Sequence, residues 1–124
     1  MDKIIIKGLK VYAYHGVNPE EKRDGQTFFL DIALFLSLRR PGGTDRLEDT
    51  VNYSKVVKTV LRVMTEEKYD LIERAAERVA EQLLTEYQSV GQVEVLLKKP
   101  QAPVNAEFDY MAVQIIRQRS DFHE

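Results

Sequence analysis

The sequence predicts an α+β domain with the element order ββααββ, in which a four-stranded antiparallel sheet carries two helices on one face. Three observations support this fold class. Two segments at each end of the chain show the alternation of apolar residues that is typical of strands. Two consecutive segments between them repeat apolar residues every three or four positions, as amphipathic helices do. No repeat, low-complexity stretch or linker interrupts the 124 residues, so we expect one domain over residues 1–120 and a polar tail at 121–124.

The first two strands are predicted at residues 2–14 and 27–38. From position 28 onward, apolar side chains fill one phase of the second strand, and Phe29, Ala33 and Phe35 lie on the other phase. A strand that is apolar on both faces indicates a sheet that is covered on both sides. The segments between and after these strands are rich in glycine, proline and charge, and they are predicted to be loops: "HGVNPEEKRDG" and "RRPGGTDRLEDT".

The two helices are predicted at residues 52–68 and 71–88. The second helix has one continuous apolar face, which is formed by Leu71, Ile72, Ala75, Ala76, Val79, Ala80, Leu83 and Leu84. Residues 92–99 alternate again, and a last strand is expected at about 110–118. Helices on one face leave the other face of the sheet and both sheet edges uncovered. The simplest physical remedy is an oligomer in which sheets join edge to edge and close into a barrel.

Composition excludes several classes of function. Eighteen basic and 20 acidic residues are interspersed and give a net charge of -2, which argues against nucleic acid and anionic membranes as partners. The absence of cysteine excludes disulfides, thiolate nucleophiles and cysteine-based metal sites. The two histidines, His15 and His123, are too few for a histidine zinc site, so no metal is expected. Without an apolar leader or a long apolar run, the chain is expected to be cytoplasmic.

Four polar residues at the boundaries of predicted elements are candidates for chemistry: Glu21, Tyr53, Glu73 and Lys99. Three of them have simple structural explanations. Glu21 could belong to a solvated loop, Tyr53 could anchor a helix, and Lys99 could extend its ammonium from an apolar strand into water. His15 similarly fits a turn at the end of a strand as well as a ligand.

Glu73 is the most informative of the four, because it lies beside the apolar face at the start of the second helix. One interpretation is a capping box, in which Asp70 is the N-cap residue and Glu73 returns a hydrogen bond three residues later. The other is that its carboxylate binds a ligand. Taken alone, the segment favours the cap.

Four motifs decide the interpretation together. In order and spacing they resemble the motifs of the dihydroneopterin aldolase family, over nearly the whole chain: "YAYHGVNPEE" at 12–21, "TDRLEDTVNY" at 44–53, "LIERAAERVA" at 71–80 and "LLKKPQAP" at 96–103. The resemblance implies the tunnelling fold, a ββααββ subunit that builds ring-shaped homo-oligomers, here an octamer or a tetramer. It also implies a lyase of folate biosynthesis that cleaves 7,8-dihydroneopterin without a cofactor, metal or Schiff base, and that could also epimerise C2′.

The resemblance assigns binding roles to one set of residues. Glu73 corresponds to the anchor of the pterin ring, accepting hydrogen bonds from the 2-amino group and a ring N–H. Leu71 and Ile72 would supply backbone groups and apolar walls, with Val51 added across a subunit boundary.

The same resemblance assigns catalysis to Lys99, with Glu21 near it and Tyr53 contributed by a neighbouring subunit, where it also contacts the substrate. Lys99 would act as a base or activate water, and Tyr53 would protonate the enamine carbon or hold the water that does so. Spacing selects Glu21 rather than Glu20. Two alternatives stay open: a 2′-epimerase of dihydroneopterin triphosphate, and a non-catalytic pterin-binding oligomer.

Overall fold

The computed structural model describes residues 1–122 and has the predicted order of long elements. Its four strands form one antiparallel sheet in the spatial order β1-β2-β3-β4. The elements are β1 (Asp2–Ala13), α1 (Pro19–Asp24), β2 (Gln26–Leu36), α2 (Arg39–Thr44), α3 (Tyr53–Glu66), α4 (Ile72–Glu86), β3 (Gln92–Lys99) and β4 (Met111–Gln118). Single 3₁₀ turns lie at Leu47–Asp49 and Arg119–Phe122. The predicted α+β class and the ββααββ order of the long elements are confirmed.

The two short helices correct the sequence prediction, which treated both connections as loops. Helix α1 begins directly after Asn18, with Pro19 at a first-turn position where its missing N–H costs nothing. Its acidic residues lie in the first turn and its basic residues in the last, as the helix dipole favours. Helix α2 contains two glycines and ends at Thr44, and its C-cap residue, Asp45, adopts a left-handed conformation. Gly, Pro and charge indicated a break after each of the first two strands but gave no sign of these six-residue helices.

The core lies between the sheet and the antiparallel pair α3 and α4. The even-numbered side chains of β2 and the odd-numbered valines and leucine of β3 point to the helices and are buried, as the alternation predicts. Helix α4 contributes its predicted apolar face from Ala75 to Leu84. None of the helices within residues 1–122 is long and apolar enough to cross a membrane.

The opposite face of the sheet combines apolar and charged side chains. A register shift in β1 after Ile6 forms a bulge, where Gly8 adopts a positive φ and its N–H donates to Asp31 at 2.7 Å. The Asp31 carboxylate also pairs with Lys98 at 3.2 Å. The apolar residues predicted for this face of β2 therefore alternate with a charged cluster, and β1 and β4 remain as sheet edges.

The C-terminal segment is tied to the helical layer. Arg119 donates from Nη2 to the carbonyl oxygens of Leu84 at 2.8 Å and Val90 at 2.9 Å, satisfying acceptors near the end of α4. Phe122 packs against the core. The remainder of the predicted polar tail, His123 and Glu124, lies outside the described residues.

Candidate active site

The loop that follows β1 is fixed by a buried histidine. The Nε2 of His15 lies 2.8 Å from the carbonyl oxygen of Met64, and its Nδ1 accepts from the Tyr69 N–H at 3.1 Å. Because Nδ1 is an acceptor, the ring is neutral and carries its proton on Nε2. Burial lowers the pKa of His15, as do the nearby charges of Lys99 and Lys22, against the opposing bond to Met64. His15 therefore joins β1 to the α3–α4 connection and is neither an exposed turn residue nor a free ligand.

Helix α1 directs the carboxylate of Glu21 into the protein. Its Oε2 accepts from Gln26 Nε2 at 2.9 Å, and its Oε1 accepts from the Asn18 N–H at 3.3 Å. Burial alone would raise the pKa of the Glu21 carboxyl, but hydrogen bonds from Lys99, Gln26 and Asn18 hold it below its usual value. Glu21 is therefore an ionised, buried carboxylate rather than a loop residue in water, whereas Glu20 is exposed.

Lys99 ends strand β3 and meets this carboxylate. Its Nζ lies 2.6 Å from Glu21 Oε2, and only 12% of its side chain is exposed. The structural explanation considered from the sequence, in which the Lys99 ammonium extends into water, is therefore wrong. Strand β3 and helix α1 instead hold a desolvated ion pair, and removal of either side chain would leave the other charge without compensation.

The start of α4 leaves the carboxylate of Glu73 open to solvent. The helix begins at Ile72 with Leu71 as its N-cap, and no side chain caps it. The capping box that the segment alone favoured is absent, because Asp70 lies outside the cap position and pairs with Lys22 at 2.5 Å. Glu73 is exposed, and its carboxylate accepts no hydrogen bond and forms no ion pair with residues 1–122. Its oxygens therefore remain available to a ligand.

These groups line one cavity of about 350 Å³. The Glu21–Lys99 pair lies on its wall together with Leu71, Ile72 and Glu73. The rest of the lining consists of the polar residues Asn18 and Asp70 and of apolar residues: Val17, Ala102, Pro103, Val104 and Met111. The cavity has the usual form of a small-molecule site, with apolar walls and a few convergent polar groups. Within residues 1–122, no three His, Asp or Glu side chains cluster as metal ligands would.

The structure places the other two predicted site residues elsewhere in the chain. Val51 is buried and Tyr53 is 64% exposed, and both line a second cavity of about 560 Å³ beside Leu38 and Pro41. Tyr53 is the first residue of α3, whose partner α4 runs antiparallel to it. A 15-residue helix such as α4 is about 22 Å long, so Tyr53 and Glu73 lie near opposite ends of the helix pair. One subunit cannot bring both to the same small molecule.

Comparison with known proteins identifies the family. The sequence pattern described as "FolB: Dihydroneopterin aldolase" matches residues 4–116, which is most of the chain. The protein belongs to the dihydroneopterin aldolase family.

Relatives within the dihydroneopterin aldolase family match almost end to end. The chain is 43% identical to a Streptomyces coelicolor dihydroneopterin aldolase over 119 residues, covering 96% of this chain and 99% of the relative. It is 37% identical to the Bacillus subtilis dihydroneopterin aldolase, covering 97% and 100%. A crystal structure of E. coli dihydroneopterin aldolase in complex with neopterin superimposes with a TM-score of 0.87 at 31% identity, covering 94% and 99%.

Two residues of the Glu21 environment were not anticipated from the sequence. Gln26 donates to the carboxylate, and Gly16 lies so close that a Cβ there would be 2.2 Å from Glu21 Cδ. Gln26 had a detectable signal, because it is the one polar residue that continues the buried phase of β2. Gly16 lies in the motif at 12–21, but its close contact with Glu21 had no local signal, since that constraint comes from a side chain five residues away that is folded back by α1.

Proposed function

We propose that this protein is a 7,8-dihydroneopterin aldolase, which releases 6-hydroxymethyl-7,8-dihydropterin and glycolaldehyde. The observation that carries the proposal is the shared cavity. An unpartnered carboxylate suited to a pterin ring, Glu73, lines it together with a desolvated acid–base pair, Glu21 and Lys99. Ring recognition and chemistry are thus available within one small volume.

The ring is recognised at the start of α4. The 2-amino group and a ring N–H of a pterin form a row of donors, and an ionised carboxylate is the matching acceptor. Each charge-assisted bond to Glu73 contributes about 1.5–3 kcal/mol. Leu71 and Ile72 provide apolar wall beside it. Val51 of a second copy would extend this wall around the pterin ring.

Cleavage begins at the 2′-hydroxyl of the trihydroxypropyl side chain. The Glu21–Lys99 pair accepts its proton, directly or through water, and the C1′–C2′ bond then breaks. C2′ becomes the aldehyde carbon of glycolaldehyde, and the electron pair of the broken bond passes from C1′ into the C6=N5 imine of the dihydropterin. Protonation of C1′ regenerates the imine and leaves the hydroxymethyl product. The same intermediates permit epimerisation at C2′, if the bound glycolaldehyde rotates and presents its other face before the C1′–C2′ bond forms again.

Tyr53 supplies or relays the proton to C1′ from a neighbouring subunit. Its exposed position at the far end of the helix pair supports this assignment, because an exposed phenol is free to enter another copy's cavity. The open edges β1 and β4 would join sheets of successive copies into a ring, an octamer or a tetramer.

Parallel assays with 7,8-dihydroneopterin and its triphosphate test this function. We expect glycolaldehyde and the hydroxymethyl pterin to form from the unphosphorylated substrate. Faster turnover of the triphosphate without glycolaldehyde would instead identify a 2′-epimerase. Tight binding of neopterin without turnover of either substrate would identify a non-catalytic pterin-binding protein.

A further inference from the structure

A buried glutamine outside the cavity wall contacts the proposed catalytic pair. Gln26 is the first residue of β2, is 6% exposed, and donates from Nε2 to Glu21 Oε2 at 2.9 Å. The same oxygen contacts Lys99 Nζ at 2.6 Å. Gln26 does not line the cavity that holds Glu73 and Lys99, so it acts on a substrate only through another residue.

The orientation of the Gln26 amide has a cost. An ionised carboxylate only accepts hydrogen bonds, so the amide must turn its NH₂ group toward Glu21. Its carbonyl oxygen, Oε1, is then buried, and it receives no hydrogen bond from residues 1–122. Buried acceptors are satisfied in the great majority of cases, so each exception requires an explanation, and a catalytic constraint on the side chain is one. A glutamine that served packing alone would be expected to satisfy both ends of its amide.

We propose that Gln26 is a positioning residue, which keeps the Glu21 carboxylate ionised and oriented toward Lys99. This inference rests on the proposed aldolase function, in which the pair handles the 2′-hydroxyl proton.

The hydrogen bonds to its two oxygens hold the Glu21 carboxylate in one orientation. Gln26 and Lys99 both bind Oε2, while the Asn18 N–H binds Oε1. Without Gln26, Lys99 alone would hold Oε2 and only the longer bond from the Asn18 N–H, at 3.3 Å, would hold Oε1, so the carboxylate could rotate or accept a proton more easily. Burial would then act on the carboxyl with less compensation, which raises the pKa of Glu21.

The test compares Gln26→Met and Gln26→Glu with the unmodified protein. Methionine keeps the length and removes the donor, whereas glutamate keeps the shape and introduces a second carboxyl beside Glu21. The control is Gln82→Met, which removes a different glutamine–glutamate bond, the one to Glu86 at 3.1 Å on the surface of α4. For each variant, kcat, KM and the pH profile of kcat/KM are measured, together with the Kd of neopterin.

We expect Gln26→Met to lower kcat/KM at pH 7 about 10- to 100-fold, mostly through kcat, with the Kd of neopterin unchanged. The acid limb of the kcat/KM profile of Gln26→Met should move to higher pH, because Glu21 would be protonated more readily. The shift should be larger for Gln26→Glu, because like charges at this distance cannot both ionise easily. Gln82→Met should leave both the rate and the profile unchanged.

Failure of this inference is distinguishable from failure of the proposed function. If the unmodified protein releases glycolaldehyde, and Gln26→Met or Gln26→Glu reduces the rate equally at every pH, Gln26 is merely structural and the inference is overturned. An unchanged rate and profile overturn it too. If Gln26→Met does not fold, the acid limb of Gln26→Glu decides alone. If the unmodified protein has no aldolase activity, the proposed function itself fails, and the inference with it.

Discussion

Two regions of the subunit that serve the proposed site differ sharply in how complete they are. At the junction of α1 and β3, Glu21 is buried, the side chain of Lys99 is 12% exposed, and the two are paired at 2.6 Å. Gln26 donates a further hydrogen bond to Glu21. At the start of α3, Tyr53 is 64% exposed, and its hydroxyl makes no hydrogen bond to residues 1–122. The first region is preorganised by a single chain, whereas the second is a surface. Under the proposed function, the fold of one chain would prepare one half of the site, and a second copy would complete the other half.

A substitution in the Glu21–Lys99 pair should have the largest effect on catalysis. Lys99→Ala removes the ammonium from the cavity, and we expect kcat for glycolaldehyde release to fall about 10²- to 10⁴-fold. Neopterin should still bind, since Glu73 is unchanged. Lys98→Ala is the matched control, because the neighbouring lysine pairs with Asp31 on the opposite face of the sheet. Equal losses in both variants would show that the effect is not specific to the cavity.

Ring recognition should be the next largest effect. Glu73→Gln replaces an acceptor of two hydrogen bonds by an amide that can accept only one and must present an N–H to the other donor. We expect the Kd of neopterin, measured by calorimetry, to rise about 10- to 100-fold. The melting temperature should not change, because Glu73 is exposed and without partners among the described residues. Glu81→Gln, also on α4 but outside the cavity, should bind normally. An unchanged Kd of neopterin in Glu73→Gln would show that the pterin ring does not bind at the start of α4.

A smaller change tests how tightly the prepared half is packed. In Gly16→Ala, the new Cβ would lie 2.2 Å from Glu21 Cδ, so the carboxylate must move. We expect a loss of about 1–3 kcal/mol in the free energy of unfolding and a fall in kcat. Gly43→Ala is the control, because a Cβ there meets nothing within 4 Å. Full activity of Gly16→Ala would mean that the position of Glu21 is not critical.

The smallest effect concerns pH and His15. Burial lowers the pKa of His15 in the folded state, so the unfolded chain takes up a proton first as the pH falls below the ordinary value of 6.5. Its contribution to stability is therefore complete above that pH and decreases below it, by up to about 1.4 kcal/mol per pH unit. His15→Gln should flatten the unfolding free energy measured between pH 6.5 and 5 at constant protein concentration. An unaltered slope would assign the pH dependence to other groups.

The sequence predicted the long elements because their patterns are local. Alternation in β2 and helical periodicity in α4 can be read from neighbouring residues, and both match the buried faces. The role of His15 could not be found in this way, because its partners lie 49 and 54 residues away. The contact between Glu21 and Lys99 is similarly remote, and only the family resemblance anticipated it. Gln26 is intermediate between these two cases. The sequence showed a polar residue at a buried position of β2, but it did not show that Glu21 is its partner.

The division of the site between two copies is tested most directly by mixing two inactive variants. Tyr53→Phe chains retain Lys99, and Lys99→Ala chains retain Tyr53. After dissociation and reassembly of an equal mixture, about a quarter of the sites should combine an intact Lys99 with an intact Tyr53 from the neighbouring copy. A tag on one variant confirms that mixed oligomers form.

We predict that glycolaldehyde release rises well above that of either parent, toward about a quarter of the rate of the unmodified protein. Mixed oligomers that remain as inactive as the parents would contradict the shared site. Tyr53 would then be an anchor at the start of α3, and the cavity at Glu73 and Lys99 would have to work without it.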